Sequence, residues 1–129
     1  MSENFNLEII SPEKKILEEK VNSVTLPAFE GELSILVNHI PLITFLRPGI
    51  INVLGSEEKK YFVEDGTVEF SNNNLVILSS TIIETSSFTQ DKISKLIKHS
   101  KEQLNLENLD DKKRYIISHK IDCLSKINL

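Results

Sequence analysis

Residues Phe29–Val53 read FEGELSILVNHIPLITFLRPGIINV. Apolar runs on either side of this stretch have the length of short strands. The stretch itself holds Pro41 and Pro48, with Pro27 just before it, out of four prolines in the chain. It also holds Gly31 and Gly49 of the four glycines, and His39 of the three histidines. Proline and glycine are the strongest local punctuation in a chain. Here, then, the backbone turns corners inside a folded body, and special residues are concentrated.

Outward from this stretch, the first 80-odd residues read as short strands. Phe5, Leu7 and Ile9 alternate with polar neighbours until Ser11-Pro12 breaks the run. Ile16 and Leu17 start a second strand, and Val21, Val24 and Leu26 mark a third, stopped at Pro27. Leu33–Leu36 form a fourth, followed by a corner from Val37 to Pro41. Ile50–Leu54 form a fifth, closed by Gly55-Ser56. Tyr61 and Val63 alternate before Asp65-Gly66, a pair suited to a tight hairpin turn. Val68 and Phe70 continue beyond it, Asn72-Asn73-Asn74 turns the chain again, and Leu75–Leu78 is the last clear strand. Many short strands at intervals of roughly 8–12 residues predict an antiparallel β-sandwich or barrel.

The pattern changes after Ser86. Ser87-Phe88-Thr89-Gln90 matches a capping box at a helix start. Ile93, Leu96, Ile97 and Leu104 then recur at helical spacing, with Ser100 interrupting the face. Asn105–Leu109 reads as a turn, and Asp110 and Asp111 sit where acids favour the positive end of a second helix. Ile117, Ile121 and Leu124 give that helix its stripe, widened by Ile116, Cys123 and Ile127. The fold class is thus an N-terminal β-sandwich (residues 1–86) followed by a C-terminal antiparallel αα-hairpin (residues 87–129). Helices of about 15 residues are marginal alone in water, so the hairpin must rest on the sandwich or on a partner.

At 129 residues, with 40% hydrophobic and 26% charged residues, the chain suits one ordinary domain or a small domain with an appendage. A net charge of −4 argues against a general nucleic-acid binder. The charge is uneven: residues 1–86 carry six bases against thirteen acids, whereas residues 87–129 carry nine bases against six. An acidic body with a basic hairpin predicts two surfaces with different partners, or simply two solvated faces. The lone Cys123 excludes an internal disulfide and a multi-cysteine metal site. No apolar run approaches the roughly 20 residues needed to cross a bilayer. The opening MSENFNLEIISPEKK has no basic start or apolar signal core, so secretion is not expected.

Motifs for chemistry are missing: there is no phosphate-binding glycine loop, no H-E-x-x-H and no G-x-S-x-G elbow. His39, His99 and His119 are far apart in sequence, so no catalytic residue, metal ligand or cofactor is expected. His39 lies in the corner between Asn38, which tolerates left-handed backbone, and Ile40-Pro41, which favours extended geometry. It reads either as a hydrogen-bonding corner residue or as an interface residue. Glu30-Gly31-Glu32 reads either as a solvated hairpin tip or as an acidic contact for a cation or basic partner. Cys123 reads as a small buried hydrophobe.

These segments together resemble the epsilon subunit family of F-type ATP synthases, called delta in mitochondria. Glu30-Gly31-Glu32-Leu33-Ser34 is similar to the family's E-G-E-[FLM]-G segment. Val37-Asn38-His39-Ile40-Pro41-Leu42-Ile43-Thr44 resembles P-G-H-A-P-L-[LI]-[TS], and Pro48-Gly49-Ile50-Ile51 resembles P-G-x-[VI]. The opening Leu7–Glu13 and the Tyr61–Glu69 region also resemble family patterns, so the likeness runs in order through residues 5–80. Val37 and Asn38 replace proline and glycine, and Asp65-Gly66 replaces paired glycines.

The resemblance implies a non-catalytic central-stalk subunit of a proton-translocating ATP synthase. It implies a position peripheral to the inner cell membrane on the cytoplasmic side, held there only through the complex. Glu30, Gly31 and Glu32 match the loop that meets the polar loops of the c-ring. His39, Pro41 and Leu42 match a region near the gamma subunit. The hairpin of such subunits can extend into the alpha/beta catalytic head and inhibit hydrolysis, with Lys112, Lys113, Arg114, Lys120 and Lys126 as the matching basic residues. The family's nucleotide motif [IL]-D-x-x-R-A is matched only in part, by Gln90-Asp91-Lys92-Ile93-Ser94-Lys95, so weak or no ATP binding is expected. The competing readings are a free-standing β-sandwich binding module with a helical tail and a small enzyme.

Overall fold

The computed structural model describes residues 4–106 and 108–127. The expected turn at 105–109 includes residue 107, and the two expected domains include residues 1–3 and 128–129; these positions lie outside the described residues.

Among the described residues, ten strands precede two helices. They are β1 (Phe5–Ile10), β2 (Lys15–Val21), β3 (Ser23–Ala28), β4 (Gly31–Leu36), β5 (Leu42–Leu46), β6 (Gly49–Leu54), β7 (Glu58–Val63), β8 (Gly66–Ser71), β9 (Asn74–Leu78) and β10 (Ile83–Glu84). A 3-10 turn at Thr85–Ser87 leads to α1 (Gln90–Leu104) and α2 (Asp111–Ser125).

The strands fall into two halves, β10-β7-β6-β3 with β4 on β3, and β5-β8-β9-β1-β2. Ala28 pairing with Leu46 is the single register pair joining β3 to β5. The halves fold face to face on one apolar core to which every strand from β1 to β9 contributes. Leu7, Ile9, Val24, Leu26, Ile51, Val53, Leu75 and Ile77 are among its fully buried members. Strict alternation puts these residues inward because successive strand residues point to opposite faces.

The β-sandwich and the αα-hairpin stand as expected, with five local corrections. First, Leu42–Leu46, beyond the expected corner at Val37–Pro41, is a further strand. It is apolar on both faces, which hides its alternation. Second, β3 continues through Pro27 to Ala28. The Pro27 carbonyl accepts from Arg47 N–H at 2.9 Å. A strand residue's N and O point to the same side, so the missing N–H lies where β3 passes from β6 to β5. A proline is tolerated at such a gap in the ladder.

Third, Asp65-Gly66 is not a hairpin turn. β7 pairs with β6 and β10, while β8 pairs with β5 and β9, so this link carries the chain from one half to the other. Gly66 is needed there for space: a Cβ would lie 2.6 Å from the Leu78 carbonyl oxygen. Fourth, β1 runs parallel to β9, so the sandwich is not wholly antiparallel. Fifth, Thr89 rather than Ser87 caps α1, its side chain accepting from Lys92 N–H at 3.2 Å. The Ser87 hydroxyl donates instead to the Glu84 carbonyl within the 3-10 turn.

Other local expectations hold. The asparagine run turns the chain between β8 and β9, where Asn72 and Asn73 form the two-residue turn in left-handed backbone, and Asn38 is left-handed in the corner as expected. Asp110 caps α2 by accepting from Lys113 N–H at 2.8 Å. Ser100 does interrupt the apolar stripe in composition, but its side chain is fully buried.

Candidate functional site: two outer faces and an acidic tip

Each half of the sandwich has an outer face, and the two differ. On the β3-β6-β7 side, Ile50 and Phe62 point outward and meet Phe88, Ile93 and Leu124 in a second apolar cluster. Phe62 and Leu124 are essentially fully buried there. Removing such side chains from water supplies roughly 1.5–3 kcal/mol each, enough to hold helices that are marginal alone. The hairpin is therefore docked on this face.

Polar contacts frame the apolar seam. Arg47 Nη1 donates to the Tyr115 hydroxyl at 2.8 Å. Lys120 is ion-paired with Glu64, in the link between β7 and β8. Lys112 Nζ lies 6.0 Å from the centre of the Phe29 ring. A cavity of about 540 Å³ remains between α2 and the sheet, with Arg47, Asn52, Lys60, His119, Asp122 and Lys126 among its lining residues. Burial in the seam pushes the Cys123 thiol up to about 11, Asp122 adding to the shift and Lys126 opposing it. Burial likewise raises Tyr61 to about 12, helped by the Glu84 and Glu19 carboxylates.

The other outer face, on the β5-β8-β9 half, is bare. Ile43, Phe45 and Leu78 are 74%, 58% and 47% exposed. Phe45 pairs with Thr67 and Thr67 with Leu78, so these residues form a row across three strands. A shallow groove beside the row is lined by Pro12, Phe45, Gly66, Thr67 and Leu78. Leu36 and Ile40 add exposed apolar surface near the His39 corner. Exposed apolar residues grouped on one face mark an interaction site, and the exposed Glu69, paired with Ile43 and Val76, adds a charge to it.

The sequence-predicted residues separate into groups. Glu30 lies in the two-residue turn between β3 and β4, and its carboxylate accepts from the Thr44 hydroxyl at 3.1 Å. Gly31 begins β4, whereas Glu32 pairs with Pro27 on the face that carries the hairpin and lines the cavity under α2. The two carboxylates thus belong to different surroundings. His39 Nδ1 lies 2.8 Å from the Ile40 carbonyl, so this nitrogen carries the proton, and the ring stands edge-on to Phe70 at 5.9 Å. Pro41 is exposed, and Leu42 is half-buried against the core.

The basic residues of α2 are likewise dispersed. Lys120 engages the sandwich, Lys126 pairs with Asp122 at 3.2 Å, and Arg114 donates to the Leu104 carbonyl at 3.3 Å. Lys112 and Lys113 are exposed at the start of the helix. Among the described residues no group of three or more His, Cys, Asp or Glu is placed to hold a metal ion. No helix there is long and apolar enough to cross a membrane. The sequence reading missed Arg47, Glu64 and Tyr115 of the seam and Ile43, Phe45 and Leu78 of the bare face. The one available signal was the strand Leu42–Leu46, whose apolar residues occupy both faces and so cannot all be core.

Residues 4–85 match the family model described as ATP synthase, Delta/Epsilon chain, beta-sandwich domain. The chain is 46% identical to the ATP synthase epsilon chain of Pelagibacter ubique, over 99% of this chain and 100% of that one. The chain belongs to the ATP synthase delta/epsilon family. A family member of the same name from Allorhizobium ampelinum is 32% identical, covering 81% of this chain and 79% of its own. Membership makes the chain a non-catalytic subunit of an ATP synthase and removes the free-standing module and the small enzyme as readings.

The family fold is shared over long evolutionary distance. A chain in the cryo-EM structure of the Euglena gracilis mitochondrial ATP synthase, OSCP/F1/c-ring, superposes with a TM-score of 0.79 at 19% identity. That match covers 97% of this chain and 81% of the other. A chain in the Tetrahymena thermophila mitochondrial ATP synthase central stalk/c-ring structure superposes with a TM-score of 0.68 at 16% identity, covering 94% and 93%.

Proposed function

We propose that this subunit is part of the rotor's central stalk, with the sandwich (residues 1–86) as its anchor and the hairpin (residues 87–129) as a detachable brake on hydrolysis. The observation that carries the proposal is the division of the outer faces. One is bare and apolar, and the other is covered by a small hairpin through one compact seam. The bare face, with the neighbouring corner at His39, Pro41 and Leu42, is the surface for the gamma subunit. The turn at Glu30 and Gly31, with Glu32 nearby, is the acidic contact for the polar loops of the c-ring. Thr44 holds the Glu30 carboxylate in place, which reduces the ordering needed on binding. The membrane is reached only through the complex, on the cytoplasmic side of the inner membrane.

When the hairpin leaves the sandwich, Lys120 is freed from Glu64 and joins Lys112, Lys113, Arg114 and Lys126, already at the helix surface, in facing an acidic segment of the alpha/beta catalytic head. Ion pairs at a wet surface contribute little one at a time, so these residues act as a set. Reversal of the hairpin's docking also exposes Phe62 and Leu124, which sets a cost that the partner must offset.

The test is ATP hydrolysis by the purified catalytic head with the full chain added, and then with a chain ending at Ser86. Binding by both with inhibition only by the full chain supports the anchor and brake. Binding by both without inhibition removes the brake and leaves a coupling spacer. Failure of either to bind removes the stalk placement.

A further inference from the structure

His119 lies on α2 and lines the cavity between that helix and the sheet. Its ring lies against Tyr115, one turn earlier, with ring centres 4.4 Å apart. Tyr115 in turn accepts from Arg47, which comes from the link between β5 and β6. The Arg47–Tyr115 bond joins helix to sheet at one end of the seam, and the His119 ring packs on that phenol from within α2. Arg47 and His119 also line the same cavity.

The charged groups around that cavity come from four elements. From α2 come Asp122 and Lys126, paired with each other, and the half-buried Cys123 thiol. Arg47 comes from the β5–β6 link, Glu32 from β4 and Lys60 from β7. With the imidazole neutral, three cations face two carboxylates. A proton on the ring adds a fourth cation beside Arg47 and leaves the carboxylates unchanged.

We propose that neutral His119 is part of the latch that holds the hairpin on the sheet, so that protonation of this ring loosens α2 from Arg47 and releases the hairpin. The inference deepens the anchor-and-brake reading above and rests on the hairpin being separable. Off the sheet, the ring is solvated, keeps Asp122 on its own helix and loses Arg47, so the undocked hairpin binds the proton better. Burial, and then the Arg47 guanidinium, hold the docked ring's pKa below its ordinary value of 6.5, against an opposing pull from Asp122. A group with a depressed basic pKa in the docked state favours docking fully above its undocked pKa. That contribution is lost as pH falls from there through the docked pKa. One proton limits the change to about tenfold in the docking ratio per pH unit.

The experiment uses the full chain and methyl NMR. Ile50 and Leu124 report the seam, and Leu7 and Ile77 report the core. Lowering the pH from about 7.5 to about 5.5 spans the imidazole range while carboxylates stay mostly ionised. The expected result is a several-fold fall in the docked-to-undocked ratio at the seam with the core signals unchanged. His119→Gln keeps the hairpin docked and removes the pH dependence.

A seam that does not respond while the His119 ring titrates overturns the latch. So does an equal response in His119→Gln, which assigns the effect to another group. Leu124→Glu serves as the undocked reference. If it frees the hairpin with the sandwich intact, separability stands whatever the wild-type titration gives. If it unfolds the whole chain, the hairpin is not separable, and the latch falls with that reading.

Discussion

Asn38 and Asn73 bind each other reciprocally: the Asn38 backbone N–H donates to Asn73 Oδ1 at 2.7 Å, and Asn73 Nδ2 donates to Asn38 Oδ1 at 3.0 Å. Both residues have left-handed backbone, at φ 65° and 58°. The pair ties the His39 corner to the β8–β9 turn. Asn38→Gly loses the side-chain bond, at about 1 kcal/mol, whereas Asn38→Ala also pays roughly 1–2 kcal/mol for the left-handed conformation. Urea midpoints should therefore rank wild type above Gly and Gly above Ala. An alanine variant more stable than the glycine variant contradicts this account of the corner.

Gly66 is fixed by crowding. A Cβ there meets the Leu78 carbonyl oxygen at 2.6 Å and Leu46 Cδ1 at 3.1 Å. Gly66→Ala should lower stability by about 1–3 kcal/mol, as overpacking does, and thermal melting measures it. Gly31, with nothing within 4 Å of a Cβ, lacks this clash.

The Lys120–Glu64 pair bridges hairpin and sandwich, and the lysine side chain is only 13% exposed. Lys120→Glu places two carboxylates together and should speed amide exchange in α2. The double variant Lys120→Glu, Glu64→Lys should restore protection to within about 1 kcal/mol. A double variant no better protected than the single one shows that the pair does not contribute to docking.

Cys123 is a built-in reporter of the seam. Its thiol is raised from 9.0 to about 11, and the thiolate is the reacting form. At pH 8, labelling of the native chain should be slower than labelling of the denatured chain by on the order of 100-fold, the ratio of thiolate fractions. Burial of the neutral thiol favours docking below pH 9.0, and this contribution is lost as pH rises through 11. Equal labelling rates mean the seam is open in solution.

The bare face predicts a separation of stability from binding. Ile43 and Phe45 are well exposed, so Ile43→Asp with Phe45→Asp should leave the melting temperature nearly unchanged. Capture of the gamma subunit should fall at least tenfold, because charges then occupy an apolar contact. Undiminished capture places the stalk contact on another surface.

Much of this was legible in local pattern. Alternation at Phe5-Leu7-Ile9 and at Val68-Phe70 identified strands, and the asparagine run identified a turn. Asp110 announced a helix start because the groups that cap a helix lie within three residues of one another. The resemblance in Glu30–Thr44 led to the family that the comparisons show. Two local signals misled. Ser87 stood three residues before Gln90 and looked like a cap, but Phe88 is buried in the seam and Thr89 caps the helix. Asp65-Gly66 has the composition of a hairpin turn but joins strands in opposite halves of the sandwich.

The sequence by itself determined most of the strands, both helices, their order and the side of most strands that faces inward, since these depend on residues within a few positions of each other. Only the tertiary structure decided that β1 lies parallel to β9, that Ala28 and Leu46 join the two halves, and that Glu30 and Glu32 part company. It also decided which outer face the hairpin covers. Leu42–Leu46 and Gly49–Leu54 are both apolar strands, yet Ile50 is shielded by α2 and Ile43 faces outward. An apolar residue gains the same transfer free energy against any apolar neighbour, so its own sequence does not say which one it meets. That choice is made by how the whole chain packs.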